Sequence, residues 1–152
     1  MQSNLAITHE NLGRLEEASR LKRDVYTGFS ELFGDEHKET LREGNNYANS
    51  LIALERFEEA KALMRKTVPV ARRVLGENDK TTLRARWMYA EALYMDTSST
   101  LDDLREAVTT LEDAGRIARR VFSGAHPITA GVGRELHNAR AALRARETPG
   151  SS

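Results

Sequence analysis

Glu16-Glu17, Glu58-Glu59 and Asp102-Asp103 are neighbouring carboxylates, and close carboxyl groups are the equipment of general acid–base catalysis. Their placement argues against that use. Each pair stands where a helix is predicted to open, a place where the dipole favours acids, and repetition of the placement points to structure. Four histidines, His9, His37, His126 and His137, could serve a metal, but they form no ligand spacing. His37 and His126 occupy the same address in separate units, 89 residues apart. Cysteine is absent, which removes a disulfide scaffold and a thiolate metal site. No strand is predicted, so no glycine-rich phosphate loop follows one. The residues therefore predict no enzyme, no cofactor and no metal.

The polar residues that recur are better read through what repeats around them. Leu32-Phe33-Gly34-Asp35-Glu36-His37-Lys38-Glu39-Thr40-Leu41 returns as Val74-Leu75-Gly76-Glu77-Asn78-Asp79-Lys80-Thr81-Thr82-Leu83, and again as Val121-Phe122-Ser123-Gly124-Ala125-His126-Pro127-Ile128-Thr129. Thr40 and Thr82 are 42 residues apart, and Thr82 and Thr129 are 47 apart, the same period with five residues inserted. Asn4-Leu5-Ala6, Asn46-Tyr47-Ala48 and Met88-Tyr89-Ala90 keep the step, as do Arg14-Leu15-Glu16-Glu17-Ala18 and Arg56-Phe57-Glu58-Glu59-Ala60. Self-similarity of this kind marks stacked units that share one continuous core.

Within a period the apolar spacing is helical. Tyr47, Ala48, Leu51 and Leu54, then Phe57, Ala60, Leu63, Met64, Val70, Val74 and Leu75, follow three- and four-residue steps. Each unit reads as two antiparallel helices, turning at Gly13-Arg14 in the first unit and Glu55-Arg56 in the second. Gly34, Gly76 and Gly124 suit left-handed helix ends, and Pro127 suits a first helical turn. The expected helices are 3–12, 15–33, 38–54, 57–75, 80–95, 100–122 and 127–146, seven in all. Thr100 with Asp103 predicts a capping box opening the sixth. Gly131 and Gly133, each costing about 1 kcal/mol, weaken the start of the last helix. That helix reads as a terminal cap.

The resulting fold class is all-α, a right-handed superhelical array of antiparallel helix pairs. A repeat domain is expected over 1–147, with units of about 1–34, 35–76 and 77–124, a capping helix at 125–147 and a disordered tail at 148–152. The chain begins inside a unit, which suggests a fragment of a longer array. Charged residues make up 30% and the formal net charge is zero, so neither a nucleic acid nor an acidic membrane is implied as a partner. No apolar run approaches the roughly 20 residues of a membrane span, and Met1-Gln2-Ser3 lacks the start of a signal peptide. A cytoplasmic location is expected.

The Asn-Leu-Ala phrase, the aromatic before Glu-Glu-Ala and the Leu-Gly linker with its acidic, His- or Asp-containing loop before Thr resemble the tetratricopeptide repeat of the kinesin light chain type. That type has a 42-residue period in place of the usual 34. Glu55 and Met95 depart from it, standing where a turn glycine is usual, and Met88 stands in place of asparagine. The resemblance implies a concave groove, lined by the first helix of each unit, that holds a peptide of a partner protein. Transferred to this chain, the groove positions are Arg42, Asn45, Asn46, Asn49 and Ile52, then Arg84, Trp87, Met88, Glu91 and Tyr94, then Arg134, Glu135 and Asn138. Asparagines offer a donor and an acceptor to a peptide backbone, and arginines hold carboxylates. Trp87 with Tyr94 could wall an apolar pocket, although a lone tryptophan in a helical stack is also a common core residue. Arg72-Arg73 and Arg119-Arg120 are expected to close helices rather than form a basic patch. The function implied is a non-enzymatic scaffold or adaptor. Stacking or self-association through uncovered terminal repeats is the alternative.

Overall fold

The computed structural model describes residues 9–148. They form six helices: α1 (His9–Phe33), α2 (Lys38–Ala53), α3 (Phe57–Val74), α4 (Lys80–Met95), α5 (Leu101–Val121) and α6 (Pro127–Glu147). Successive helices pack in pairs along the chain, and in addition α2 touches α4 and α4 touches α6. The odd-numbered helices make no comparable set of mutual contacts among the described residues. Even-numbered helices therefore line the tighter, inner side of a curved all-α array, with their N-termini at one end.

The recurrent linker phrase has a physical cause. His37, Asp79 and His126 are the N-caps of α2, α4 and α6, and their side chains accept from the backbone N–H of Glu39, Thr81 and Ile128, satisfying donors that a helix start leaves free. The threonine of the phrase ties each unit to the one before. Thr82 Oγ1 donates to Ala71 O at 3.2 Å, and Thr129 Oγ1 donates to Ala118 O at 3.4 Å. Thr40 holds the same address, 1% exposed.

Leu51, Met64, Leu83, Leu93, Leu111 and Val132 form the fully buried centre, each contributing about 1.5–3 kcal/mol by leaving water. Alanines 48, 60, 71, 90, 107, 114, 118 and 139 are completely covered and let helix axes approach closely. Helix α4 is enclosed by α2, α3, α5 and α6, so residues around most of its circumference are buried. Lys61 is also buried, its amine 2.7 Å from Glu58 and 3.1 Å from Asp96.

Five of the expected helices stand within a residue or so of their predicted bounds. The beginning differs. Gly13-Arg14 is not a turn: α1 runs unbroken through it, so Glu16-Glu17 sit inside a helix instead of opening one. Among the described residues there are six helices, and residues 3–8 of the expected first helix lie outside them. Of the expected tail, 149–152 also lie outside, while Thr148 caps α6. Gly34 and Gly76 take the left-handed conformation at φ 87° and 90°, but Gly124 does not, because Phe122 already leaves α5 in extended conformation. Glu55 adopts φ 60° in the glycine's place. The Thr100–Asp103 capping box is formed.

Candidate functional site

The inner face carries two distinct groups of polar side chains. The first surrounds a cavity of about 450 Å³ at the N-terminal ends of α2, α4 and α6, lined by Arg42, Asn45, Asn46, Lys80, Arg84 and His126, with Thr81, Pro127 and Ile128 completing the wall. A second hollow beside it shares Arg42 and Lys80 and adds Lys38. Basic residues are concentrated here by the repeat itself: Lys38 and Lys80 share one address, and Arg42 and Arg84 another. Arg42 is ion-paired with Glu39, and Lys38 lies 3.9 Å from Asp79. Lys80 and Arg84 have no carboxylate in ion-pair contact among the described residues. The Arg84 guanidinium lies 4.9 Å from the Trp87 ring centroid.

Asn45 is the buried polar wall of this cavity, 5% exposed. Its Nδ2 donates to Thr81 O at 3.1 Å, which fixes which end of the amide is which, and its Oδ1 accepts from no group in the protein. Asn46 is exposed and donates to Glu43 at 3.3 Å. Of the residues expected from the sequence, Arg42, Asn45, Asn46 and Arg84 thus come together. Asn49 is exposed one turn further along α2 and does not line the cavity.

The second group lies between α4 and α6. Glu135 is 7% exposed and accepts a short hydrogen bond from the Tyr94 hydroxyl. Glu91 faces it, its carboxyl pushed up to about 7 by burial and by the Glu135 charge, against the pull of Arg84 and Arg134. Burial also pushes the Tyr94 hydroxyl up, assisted by Glu135, while Asn138 acts in the opposite direction. Arg134 and Asn138 are exposed. The inner face is therefore cationic at the helix N-termini and acidic two to three turns along.

Three expected groove residues are core instead. Met88 and Ile52 are 2% and 6% exposed. Trp87 packs beneath α6, so closely that a Cβ at Gly131 would stand 2.2 Å from its Cη2. Trp87 does not wall a pocket with Tyr94. Lys80, Thr81, His126 and Ile128 were not among the expected positions; the repeated linker phrase was the signal, since it sets residues at the mouth as well as capping helices. The basic pairs close helices as expected: Arg72 and Arg73 end α3, Arg119 and Arg120 end α5, and Arg73 reaches Glu36 at 2.9 Å. On α6, Arg140 pairs with Glu112 at 3.0 Å and Arg146 donates to Ser99 O at 2.7 Å.

The tetratricopeptide repeat family model matches residues 1–39 and 45–79. Two crystal structures are similar across most of the chain. One is of the nearly identical TPR-like repeats of a kinesin light chain candidate from Podosopora anserina, with 22% identity, TM-score 0.66, and coverage of 91% of this chain and 64% of that one. The other is a single-substitution variant of those repeats, with 20% identity, TM-score 0.69, and coverage of 96% and 74%. The chain thus spans somewhat under two thirds of the length of the first. No curated protein matches it. No helix among the described residues is long and apolar enough to cross a membrane.

Proposed function

Because the chain is a tetratricopeptide-repeat protein sharing the fold of kinesin light chain-type repeats, a class of protein-interaction module, we propose that it is a cytoplasmic adaptor without chemistry of its own. Its inner face holds an extended or helical peptide of a partner protein. The observation that carries this reading is the open cavity of about 450 Å³ in which Arg42, Asn45, Asn46 and Arg84 converge from two helices. Asparagine supplies backbone-like donors and acceptors, and Lys80 and Arg84, which have no ion pair among the described residues, supply attraction for an acidic stretch. An immobilised array of short peptides, probed with the folded chain at two salt concentrations, tests it. Binding should weaken in Asn46→Ala and Arg42→Ala while stability stays within about 0.5 kcal/mol, as for surface changes. Peptide binding unaltered by both substitutions would place the ligand elsewhere.

A second reading, assembly through the repeat ends, draws on α1. Leu21, Val25, Leu32 and Phe33 are 60%, 44%, 78% and 53% exposed there, and three of them fall on one stripe of the helix. Contiguous exposed apolar surface of this kind marks association sites. Sedimentation across a concentration series separates the readings, and Val25→Lys should abolish any self-association without touching peptide binding.

A further inference from the structure

Helix α1 is covered on one side. It packs on α2, and no other described helix packs against it to a comparable extent, whereas α3, its counterpart 42 residues on, lies between α2 and α4. Matching addresses show the difference. Thr67 on α3 is 3% exposed where Val25 on α1 is 44% exposed, and Leu63 is half-buried where Leu21 is exposed. Since α2 stands to α1 as α4 stands to α3, the neighbour that α1 lacks is the equivalent of α2. Leu21 and Val25 therefore mark the place of a first helix.

The segment with that address is 1–12, which answers 43–54 and lies within the stretch that the family model matches. Leu5, Ala6 and Leu12 stand at the addresses of Tyr47, Ala48 and Leu54. Where the second unit has Ile52 and Met64, both in the core cluster, the first has the opposite charges Glu10 and Lys22. Lys22 has no ion pair among the described residues, so a complementary charge is missing from its side. The turn address carries a further mark. Glu55 takes the chain from α2 to α3 at φ 60°, a conformation that suits glycine, and 42 residues earlier stands Gly13. Yet Gly13 is helical, and α1 runs unbroken through it. A segment in one continuous helix with α1 cannot lie back on α1.

On the reading of assembly through the repeat ends, which this inference rests on, we propose that two copies of the chain exchange their N-terminal segments. Residues 1–12 of one copy lie antiparallel on the Leu21 and Val25 face of the other, and Gly13 is the hinge that stays helical in the exchanged form. The pair is two-fold symmetric, with Gly13-Arg14 of both copies near the axis. The two α1 helices then overlap over about 24 residues, about 36 Å, and Glu10 faces Lys22 across the pair. Exchange is a low-cost route to a dimer, because it reuses contacts that the fold already makes within a unit. The opposite end of the array offers no such surface, since the exposed side of α6 carries Arg134, His137 and Arg144. The apolar end therefore meets its like.

The chain has no cysteine, which makes the test clean. Copies carrying only Ala6→Cys are mixed with copies carrying only Leu21→Cys and a larger tag, then oxidised and separated on a non-reducing gel. Sedimentation follows the unaltered chain over a concentration series. Expected are a monomer–dimer equilibrium and a mixed cross-linked species of the summed mass. Gly13→Ala, which favours the unbroken helix, should tighten the dimer at least tenfold, and four glycines inserted after Gly13 should loosen it by at least as much. Circular dichroism checks that each variant keeps its helix content. A dimer whose mixed copies do not cross-link would overturn the exchange and leave end-to-end assembly standing. A chain that is monomeric at every concentration would overturn both, and closure of an Ala6→Cys, Leu21→Cys double variant within one copy would then show that the segment covers its own α1.

Discussion

Gly131 is where an ordinary helix rule should fail in a measurable way. Replacing an interior helical glycine with alanine normally stabilises by about 0.5–1 kcal/mol, because the unfolded chain loses freedom and the helix gains a better former. At Gly131 the added Cβ would stand 2.2 Å from Trp87 Cη2, 2.5 Å from Cζ3 and 3.1 Å from Cζ2. The indole is a rigid plate in the core, without a flexible end to yield. Either α6 moves outward or the ring leaves its slot, and overpacking of this kind costs about 1–3 kcal/mol. The net expectation is a loss of about 1–2 kcal/mol, or a melting temperature lower by roughly 2–8 °C for a chain of this size. Gly133, two residues on, has nothing within 4 Å of its would-be Cβ, so Gly133→Ala should gain about 0.5–1 kcal/mol. Urea unfolding followed by circular dichroism and by Trp87 fluorescence measures both. Adding Trp87→Leu should erase much of the Gly131→Ala penalty, a coupling that a double-mutant cycle isolates. Equal stabilisation by the two alanines would refute the packing argument.

Three further outcomes follow from other sites. Glu55 sits at φ 60° in the turn between α2 and α3, so Glu55→Gly should relieve left-handed strain and raise stability by about 0.5–1 kcal/mol in the same urea assay, after the entropic cost of glycine. Asp96→Asn takes one of two carboxylates from the 4%-exposed Lys61 side chain and should destabilise by about 1–3 kcal/mol; an unchanged urea midpoint would show that Glu58 alone suffices. Glu91 has its carboxyl raised to about 7 in the fold against 4.5 outside it. The folded state therefore binds the extra proton between those values, and this group's contribution falls as pH rises from about 4.5 to 7, then levels off. Glu91→Gln should flatten that slope in unfolding measured from pH 5 to 8. Asp35, Asp96 and Asp113 are held low by their partners, so their losses come only under more acid conditions.

The sequence made helix positions legible because caps and periods are local. A 42-residue step from His37 to Asp79, and from Thr40 to Thr82, names its own helix starts, and the structure supplies the bonds behind the letters. Where expectation failed, the deciding force was not local. Gly13 looks like a turn, yet a single glycine costs a long helix only about 1 kcal/mol, too little to break α1. Gly124 lost its role because it stands one residue past the address of Gly76, which is Ser123 at the 47-residue step, and Phe122 has already left α5 in extended conformation. Trp87 was placed in the groove by transfer from one repeat to the next, and such transfer fixes a direction around the helix but says nothing of depth. Its own counterpart shows this: Asn45 holds the same address in α2 and is equally covered, 5% against 9% exposed.

The contrast between those two positions explains why the cavity lies where it does. Forty-seven residues beyond Arg84, the address that carries arginine in α2 and α4 is Gly131. Without a side chain there, α6 settles onto Trp87, and Ile128, Val132 and Ala139 are 5%, 0% and 0% exposed beneath it. The seam between α4 and α6 is thereby sealed with apolar surface at its N-terminal end, leaving only the Glu91–Glu135 layer polar. Between α2 and α4 the same level of the stack holds Asn45 bonded to Thr81 O, a polar seam beside which Arg42 and Arg84 stay exposed. Glycine at the arginine address of α6 and tryptophan at the asparagine address of α4 thus close the seam between α4 and α6 with apolar contact, while the seam between α2 and α4 stays polar.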